Sequence, residues 1–343
     1  RSSDLDPERG SFILALLAIY IGGALALFGL RVSTVREGRQ FEAMSRETLL
    51  VVNNLLLTVI LGVVLVGTLY PLMTEAFGHK VSVGPPYFNA VAGPIALVLM
   101  LAMVAGPLTR WRRDVPGIVG GRMLWSLGLM LATGAALAVA AWGKIGVLPF
   151  LGLVITAGVA LGSLIPLTKR NLKRTPLFTY GMVLAHLGCA VSLGGMAAES
   201  AFSVEKLVAM QPGESVESAG WTIRFDKVAP LAGPNWVAMQ ADMAASYGGD
   251  EKMLHPQSRF FSDPPTNTTE SAILTRWDGQ LYVVLGERLE DGRWQMRIWW
   301  KPFVTLIWLG GFMIAAGGLL TIIGRERRGW LLKLRKLHAG DWA

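Results

Sequence analysis

The chain has 343 residues, of which 52% are hydrophobic and only 16% are charged, and its formal net charge is +8. This composition excludes an ordinary soluble protein of this length. The apolar residues fall in long uncharged runs, each close to the roughly 20 residues that a helix needs to cross the hydrocarbon of a bilayer. Apolar and polar residues do not alternate within the runs, which disfavours transmembrane β-strands.

Seven such runs predict an α-helical polytopic membrane protein with seven transmembrane helices. The runs cover residues 11–30, 48–72, 89–109, 123–142, 147–167, 180–198 and 303–324. Tryptophans cluster at their ends, as expected for the aromatic belts at the two membrane surfaces. These tryptophans are Trp111, Trp125, Trp142, Trp299, Trp300 and Trp308.

Charge predicts the orientation of the helices. The connections 31–47, 110–122 and 168–179, together with the tail from residue 325, hold more than half of the Lys and Arg residues. Positively charged loops remain on the cytoplasmic side of a membrane, so these segments are expected in the cytoplasm. The N-terminus of the chain is then periplasmic and the C-terminus cytoplasmic. The topology thereby explains the positive net charge, so no nucleic-acid partner is expected. The partners expected from composition are the membrane lipids.

Between the sixth and seventh runs the chain becomes polar, with Pro and Gly at short intervals, which predicts a small antiparallel β domain inserted before the last helix. Candidate strands cover residues 220–228, 236–243, 258–262, 280–285 and 294–300. The pair Asp278-Gly279 predicts a tight turn with a positive φ. The predicted organisation is 1–198, a six-helix membrane segment; 199–301, a periplasmic β domain; 302–324, the final transmembrane helix; and 325–343, a basic cytoplasmic tail.

His186 is the strongest candidate for a functional side chain. It lies about six residues into the sixth run, where an ionisable group is costly and needs a partner. Neutral imidazole is a common axial ligand of haem iron. A hydrogen bond to a neighbouring helix explains the residue equally well, with the nearby small residues serving helix packing. His79, His255 and His338 are in predicted loops or the tail, where a solvated side chain is the simpler interpretation.

An ordered set of short motifs accompanies these features. They are residues 6–12 (DPERGSF), 45–47 (SRE) with Asn53-Asn54, 67–71 (GTLYP), 86–89 (PYFN), 106–108 (GPL), 185–188 (AHLG), 301–303 (KPF) and 308–311 (WLGG). Each motif alone is weak, whereas the order and spacing together are specific. The set resembles the C-terminal half of the CcmF family, the haem lyase subunit of bacterial cytochrome c maturation.

The resemblance implies a function. The family takes haem from a periplasmic haem chaperone and attaches it covalently to the Cys-x-x-Cys-His motif of apocytochrome c, which a thioreduction and holding subunit presents. It also holds a haem b in the membrane between two histidines, and His186 matches the second of these iron ligands. The first, with two periplasmic histidines and a tryptophan-rich motif, belongs to the upstream N-terminal half.

Two consequences and two alternatives follow from this resemblance. The chain is expected to be one part of a longer or split protein, and to be inactive as a haem lyase without that upstream half. The membrane haem b is expected to relay electrons to the substrate haem. The alternatives are a transporter or permease subunit and a structural assembly scaffold, neither of which needs a cofactor. Catalytic residues are not identifiable from the sequence.

Overall fold

The computed structural model describes residues 7–35, 42–76, 78–79, 81–141, 143–168, 170–263 and 265–340. Asp6, at the start of the first motif, and Trp142, in the predicted aromatic belt, lie outside the described residues. The chain divides into two compact units, Arg1–Leu127 and Gly128–Ala343.

Seven helices of the described residues are long and apolar enough to cross a membrane, which confirms the seven predicted helices. They are α1 (Pro7–Arg31), α2 (Arg46–Ala76), α3 (Pro85–Ala105), α4 (Pro116–Ala141), α5 (Val147–Leu164), α6 (Leu177–Phe202) and α7 (Thr305–Gly340). Short 3-10 turns prolong α3 and α5 by one turn each. The largest difference from the predicted bounds is at α7, which continues as a helix well past the apolar run.

Within the first unit, α2 and α3 pack through a close approach at Gly67. A Cβ atom on Gly67 would lie 2.6 Å from a ring carbon of Tyr87 and 2.8 Å from one of Phe88. The Tyr87 hydroxyl also donates a 3.4 Å hydrogen bond to the carbonyl oxygen of Val63. In a bilayer, helices associate through such close contacts and polar bonds, because lipid tails are as apolar as the side chains themselves.

Within the second unit, glycines bring α6 and α7 together. Cβ atoms on Gly188 and Gly317 would each lie 2.5–2.9 Å from atoms of the opposite helix, most of them backbone atoms. The Ser192 hydroxyl crosses the same seam and donates a 3.1 Å hydrogen bond to the carbonyl oxygen of Ile307. Small residues in this position let two helix backbones approach and gain van der Waals contact.

The segment between α6 and α7 forms a β-sandwich of two antiparallel sheets in the described residues. The strands are β1 (Val204–Met210), β2 (Ser215–Ser218), β3 (Trp221–Ala232), β4 (Trp236–Tyr247), β5 (Asp250–Leu254), β6 (Gln257–Ser262), β7 (Pro265–Glu270), β8 (Ala272–Arg276), β9 (Gly279–Arg288) and β10 (Trp294–Pro302). One sheet has the order β1-β10-β9-β8, and the other β2-β3-β4-β6-β7, with β5 also paired to β4. The predicted β domain is confirmed, and the five predicted strands correspond to β3, β4, β6, β9 and β10.

The sandwich core is built from alternating positions of its longer strands. Side chains that are 0–2% exposed include Trp221, Ile223, Phe225, Met243, Leu281, Val283, Leu285, Met296 and Ile298. Burying each large apolar side chain stabilises the domain by about 1.5–3 kcal/mol. Since β1 follows α6 directly and pairs with β10, the strand before α7, the chain leaves and re-enters the helical region at one end of the sandwich.

The hairpin between β8 and β9 corrects one prediction. Its turn residues are Trp277 and Asp278. Gly279 is the first residue of β9, and its φ is not positive. Glycine is required there for a different reason. A Cβ atom on Gly279 would lie 2.7 Å from the carbonyl oxygen of Lys301 and 2.8 Å from the Trp300 ring. The glycine therefore permits close approach to β10 rather than an unusual backbone angle.

Candidate functional site

His186 lies in the third turn of α6, on the side of the helix that faces α5. Residues of a helix that are spaced by three, four, seven or eleven positions share a face. His186 thus shares its face with the buried Val183, Ala190 and Ala197. Ala197 touches α5, since a Cβ atom on Gly152 would lie 2.9 Å from the Ala197 Cβ. The seam with α7 occupies the opposite side of α6.

The contact with α7 fixes the rotation of α6 about its own axis. Gly181, Gly188 and Gly195 repeat every seven residues and meet the backbone or first side-chain atoms of α7. A different rotation would replace these glycines by larger side chains, for which the seam has no room. The glycine stripe consequently determines that His186 points to the α5 side.

A local hydrogen bond selects the tautomer of the half-buried, neutral His186 ring. Its Nδ1 atom lies 2.8 Å from the carbonyl oxygen of Met182, one turn earlier in α6. A carbonyl oxygen can only accept, so Nδ1 carries the proton and donates, and Nε2 presents a lone pair. Histidines that bind metals through one nitrogen characteristically donate the other N–H to a carbonyl or carboxylate.

The donor set around His186 discriminates between kinds of metal centre. Among the residues that the structure describes, no three or more His, Cys, Asp or Glu side chains converge on one point. A bare zinc ion needs three or four protein ligands. A haem needs only axial ligands, since the porphyrin supplies the other four donors. A single histidine of this chain is therefore compatible with one axial position of a haem iron.

The other three histidines lie elsewhere. His79 is an exposed residue of the α2–α3 loop. His338 lies near the end of α7, in the part of this helix that the sequence predicts as the basic tail. His255 is not simply solvated, because its Nδ1 atom lies 2.8 Å from a carboxylate oxygen of Asp242.

The surroundings of Asp242 were not foreseen from the sequence. The pairing of β3 with β4 shifts between Phe225 and Lys227, and His255 lies at the interruption between β5 and β6. These irregularities flank Asp242 and allow two side chains to reach its carboxylate. One is His255, and the other is Lys227, whose ammonium lies 3.2 Å from a carboxylate oxygen. The hydrogen bond from His255, with a smaller contribution from Lys227, holds the pKa of Asp242 below its ordinary value. Bulges often redirect side chains in this way.

The comparisons with known proteins agree with this architecture. A family model described as the CcmF C-terminal beta-sandwich matches residues 201–302. The cytochrome c-type biogenesis protein CcmF of Pseudomonas aeruginosa is 39% identical over 94% of this chain and 50% of its own length. The protein of the same name from Escherichia coli is 37% identical, again over 94% of this chain and 50% of its own length.

A solved structure entitled "Cytochrome c Heme Lyase CcmF" has the same fold. The TM-score is 0.63 at 22% sequence identity, and the match covers 82% of this chain and 46% of that chain. Seven membrane-spanning helices with a β-sandwich before the last one thus define a multi-pass membrane protein with the fold of that structure. The chain belongs to the CcmF family and corresponds to its C-terminal half. It spans about half the length of the curated relatives that it matches.

Proposed function

We propose that this chain is the C-terminal part of a cytochrome c haem lyase, which attaches haem covalently to the Cys-x-x-Cys-His motif of apocytochrome c. Family membership supports the general role. The further partners that we propose are the upstream half of the same protein, a periplasmic haem chaperone that delivers the substrate haem, and the subunit that reduces and holds the apocytochrome.

The observation that carries the proposal is the state of His186. The Met182 carbonyl holds its ring through Nδ1, so the lone pair of the neutral imidazole lies on Nε2, the atom that would bind a metal. We assign His186 as one axial ligand of a membrane haem b, with the second ligand on the upstream half. When bound, such a haem supplies one-electron transfer, which would keep the substrate haem reduced. The chain's own contribution is to orient the imidazole and to surround it with small residues such as Ala190.

The β domain supports a role in handling thiol substrates. The single cysteine of the sequence, Cys189, lies in α6, so residues 199–301 contain none. A domain without thiols offers no sulfur that could form mixed disulfides with the substrate cysteines. This composition supports the proposed function without identifying the surface that contacts the apocytochrome.

The decisive experiment is a visible spectrum of the chain purified together with its upstream half. We expect the Soret, α and β bands of a low-spin haem with two histidine ligands. His186→Ala removes one iron ligand, so these bands should be lost or strongly reduced. His186→Gly with added imidazole should restore part of the signal, because free imidazole fits both the vacated space and the coordination position.

His255→Ala is a matched control, because it removes an imidazole from the β domain; its spectrum should be unchanged. A normal low-spin spectrum in His186→Ala would show that the iron is bound elsewhere and would return His186 to a packing role. A colourless complex with the wild-type sequence would favour a permease subunit or a scaffold.

We also propose that the protein lies in the bacterial inner membrane with its β domain in the periplasm, and that the divisions at residues 199, 302 and 325 separate the domains. The distribution of Lys and Arg over the loops supports this orientation. A reporter that is active only in the periplasm should be active when fused after Gly220 or Asp278 and silent after Asp114 or Lys173. Activity after Lys173 would contradict the orientation.

A further inference from the structure

The loop before α2 and the loop after α3 are joined to each other. The backbone N–H of Arg46 donates to the carbonyl oxygen of Arg110 at 2.9 Å, and that of Asp114 donates to Met44 at 2.7 Å. Because α2 begins and α3 ends beside these loops, both lie at one membrane surface, at the depth of the lipid headgroups.

Most of the acidic groups of these loops are already engaged. Asp114 is buried, and its carboxylate accepts a 2.7 Å hydrogen bond from Arg122. The side chain of Glu42 pairs with Arg113 at 3.2 Å. The carboxylate of Glu47 accepts the backbone N–H of residue 112 at 2.7 Å. Among the described residues, the acids thus hold the loops together and leave part of the positive charge without an ion-pair partner.

Two guanidinium groups carry that unpaired charge. Arg110 and Arg112 are exposed, and neither has an ion-pair partner in the part of the chain that the structure describes. Arg112 has a φ of +66°, which is unusual for a residue other than glycine. The bond from its N–H to Glu47 holds this conformation.

A tryptophan and a third arginine complete the surface. Trp111, between the two arginines, is 59% exposed. The Arg46 guanidinium lies 5.3 Å from the centre of the Trp111 ring and donates a 2.9 Å bond to the carbonyl oxygen of Pro107. Its Nε atom is buried without a hydrogen-bond partner among the described residues. Arg46, Arg110, Trp111 and Arg112 are here named the arginine surface.

We propose that the arginine surface binds the headgroup phosphate of an anionic phospholipid. Charge complementarity supports this partner, because phosphates are the abundant anions at the depth where the loops lie. The planar fork of arginine matches phosphate oxygens in pairs. Tryptophan favours the same interfacial depth, with its ring against lipid and its N–H toward the headgroups. The joined loops hold these groups in place before the lipid arrives, which reduces the entropic cost of binding.

Native mass spectrometry of the purified 343-residue chain tests the proposal. The chain is mixed in detergent with equal amounts of phosphatidylglycerol and phosphatidylcholine, and the ratio of the two retained lipids is measured. We expect phosphatidylglycerol to be retained preferentially. The double variant Arg110→Gln/Arg112→Gln should lower that preference by about thirtyfold. Both side chains are exposed, so helical circular dichroism should be unchanged.

The control Arg31→Gln/Arg170→Gln removes two exposed arginines that lie outside the arginine surface, one at the end of α1 and one between α5 and α6, and should keep the preference. Equal loss in both double variants would show a diffuse charge effect and overturn the proposal, as would no loss in either. Arg110→Lys/Arg112→Lys, which keeps the charge, should fall between the wild type and the glutamine variant. Release of the lipid by excess inorganic phosphate would show a site for a free anion rather than for a lipid.

Discussion

Adding a single methyl group at Gly317 of α7 should force α6 and α7 apart. A Cβ atom on Gly317 would lie 2.5 Å from the Ala185 amide nitrogen, 2.5 Å from the Gly181 carbonyl oxygen and 2.9 Å from the Ala185 Cα. All three are backbone atoms, which cannot rotate away as a side chain can. Gly317→Ala must therefore move one helix by up to about 1 Å to restore ordinary van der Waals distances.

The neighbouring glycine provides the control. A Cβ atom on Gly318 would meet nothing within 4 Å, although it lies in the same apolar part of α7. Gly318→Ala changes the intrinsic helix propensity as Gly317→Ala does, but without the steric conflict. The difference between the two variants consequently isolates the cost of the close approach.

The expected magnitude follows from overpacking. Inserting one methyl group into a closely packed contact costs about 1–3 kcal/mol. For a chain of this length, about 2 kcal/mol lowers the apparent melting temperature by about 3 °C. The assay heats detergent-solubilised protein and measures the monodisperse fraction by size-exclusion chromatography. A Gly317→Ala protein as stable as the Gly318→Ala protein would refute the reasoning and show that the two helices can part without cost.

Two further predictions concern the β-sandwich. Gly279→Ala should lower the melting temperature more than Gly292→Ala, even though only Gly292 has a positive φ, because a Cβ at Gly279 meets the β10 backbone; the reverse order in the same thermal assay would contradict this. The pKa of Asp242 is lowered in the folded protein, so its carboxylate adds stability above the ordinary aspartate pKa, and this contribution is lost as the pH falls through the folded pKa. The stability difference between wild type and Asp242→Asn should therefore shrink below about pH 4, and a difference independent of pH would exclude the ion pair as its cause.

The sequence by itself determined the number of membrane helices and the existence of the β domain. A helix spans a membrane because about 20 consecutive residues are apolar and satisfy their own backbone hydrogen bonds, and both conditions are local. Strands such as β3 and β9 were also predictable, since the alternation of their buried and exposed residues is visible over a few positions. His186 stood out for a similar reason, as an ionisable residue inside an apolar run.

Only the tertiary structure decided what surrounds those elements. β7, with the sequence PTNTTE, has no apolar alternation and is a strand because it pairs with β6. The group that meets Asp242 depends on irregularities in two neighbouring strands. The side of α6 on which His186 lies depends on α7, whose Ile307 is 115 residues from Ser192. Such contacts join parts of the chain that are distant in sequence, so local composition does not predict them. Each helix or strand taken alone is compatible with many partners, and only close packing in the folded protein selects one of them.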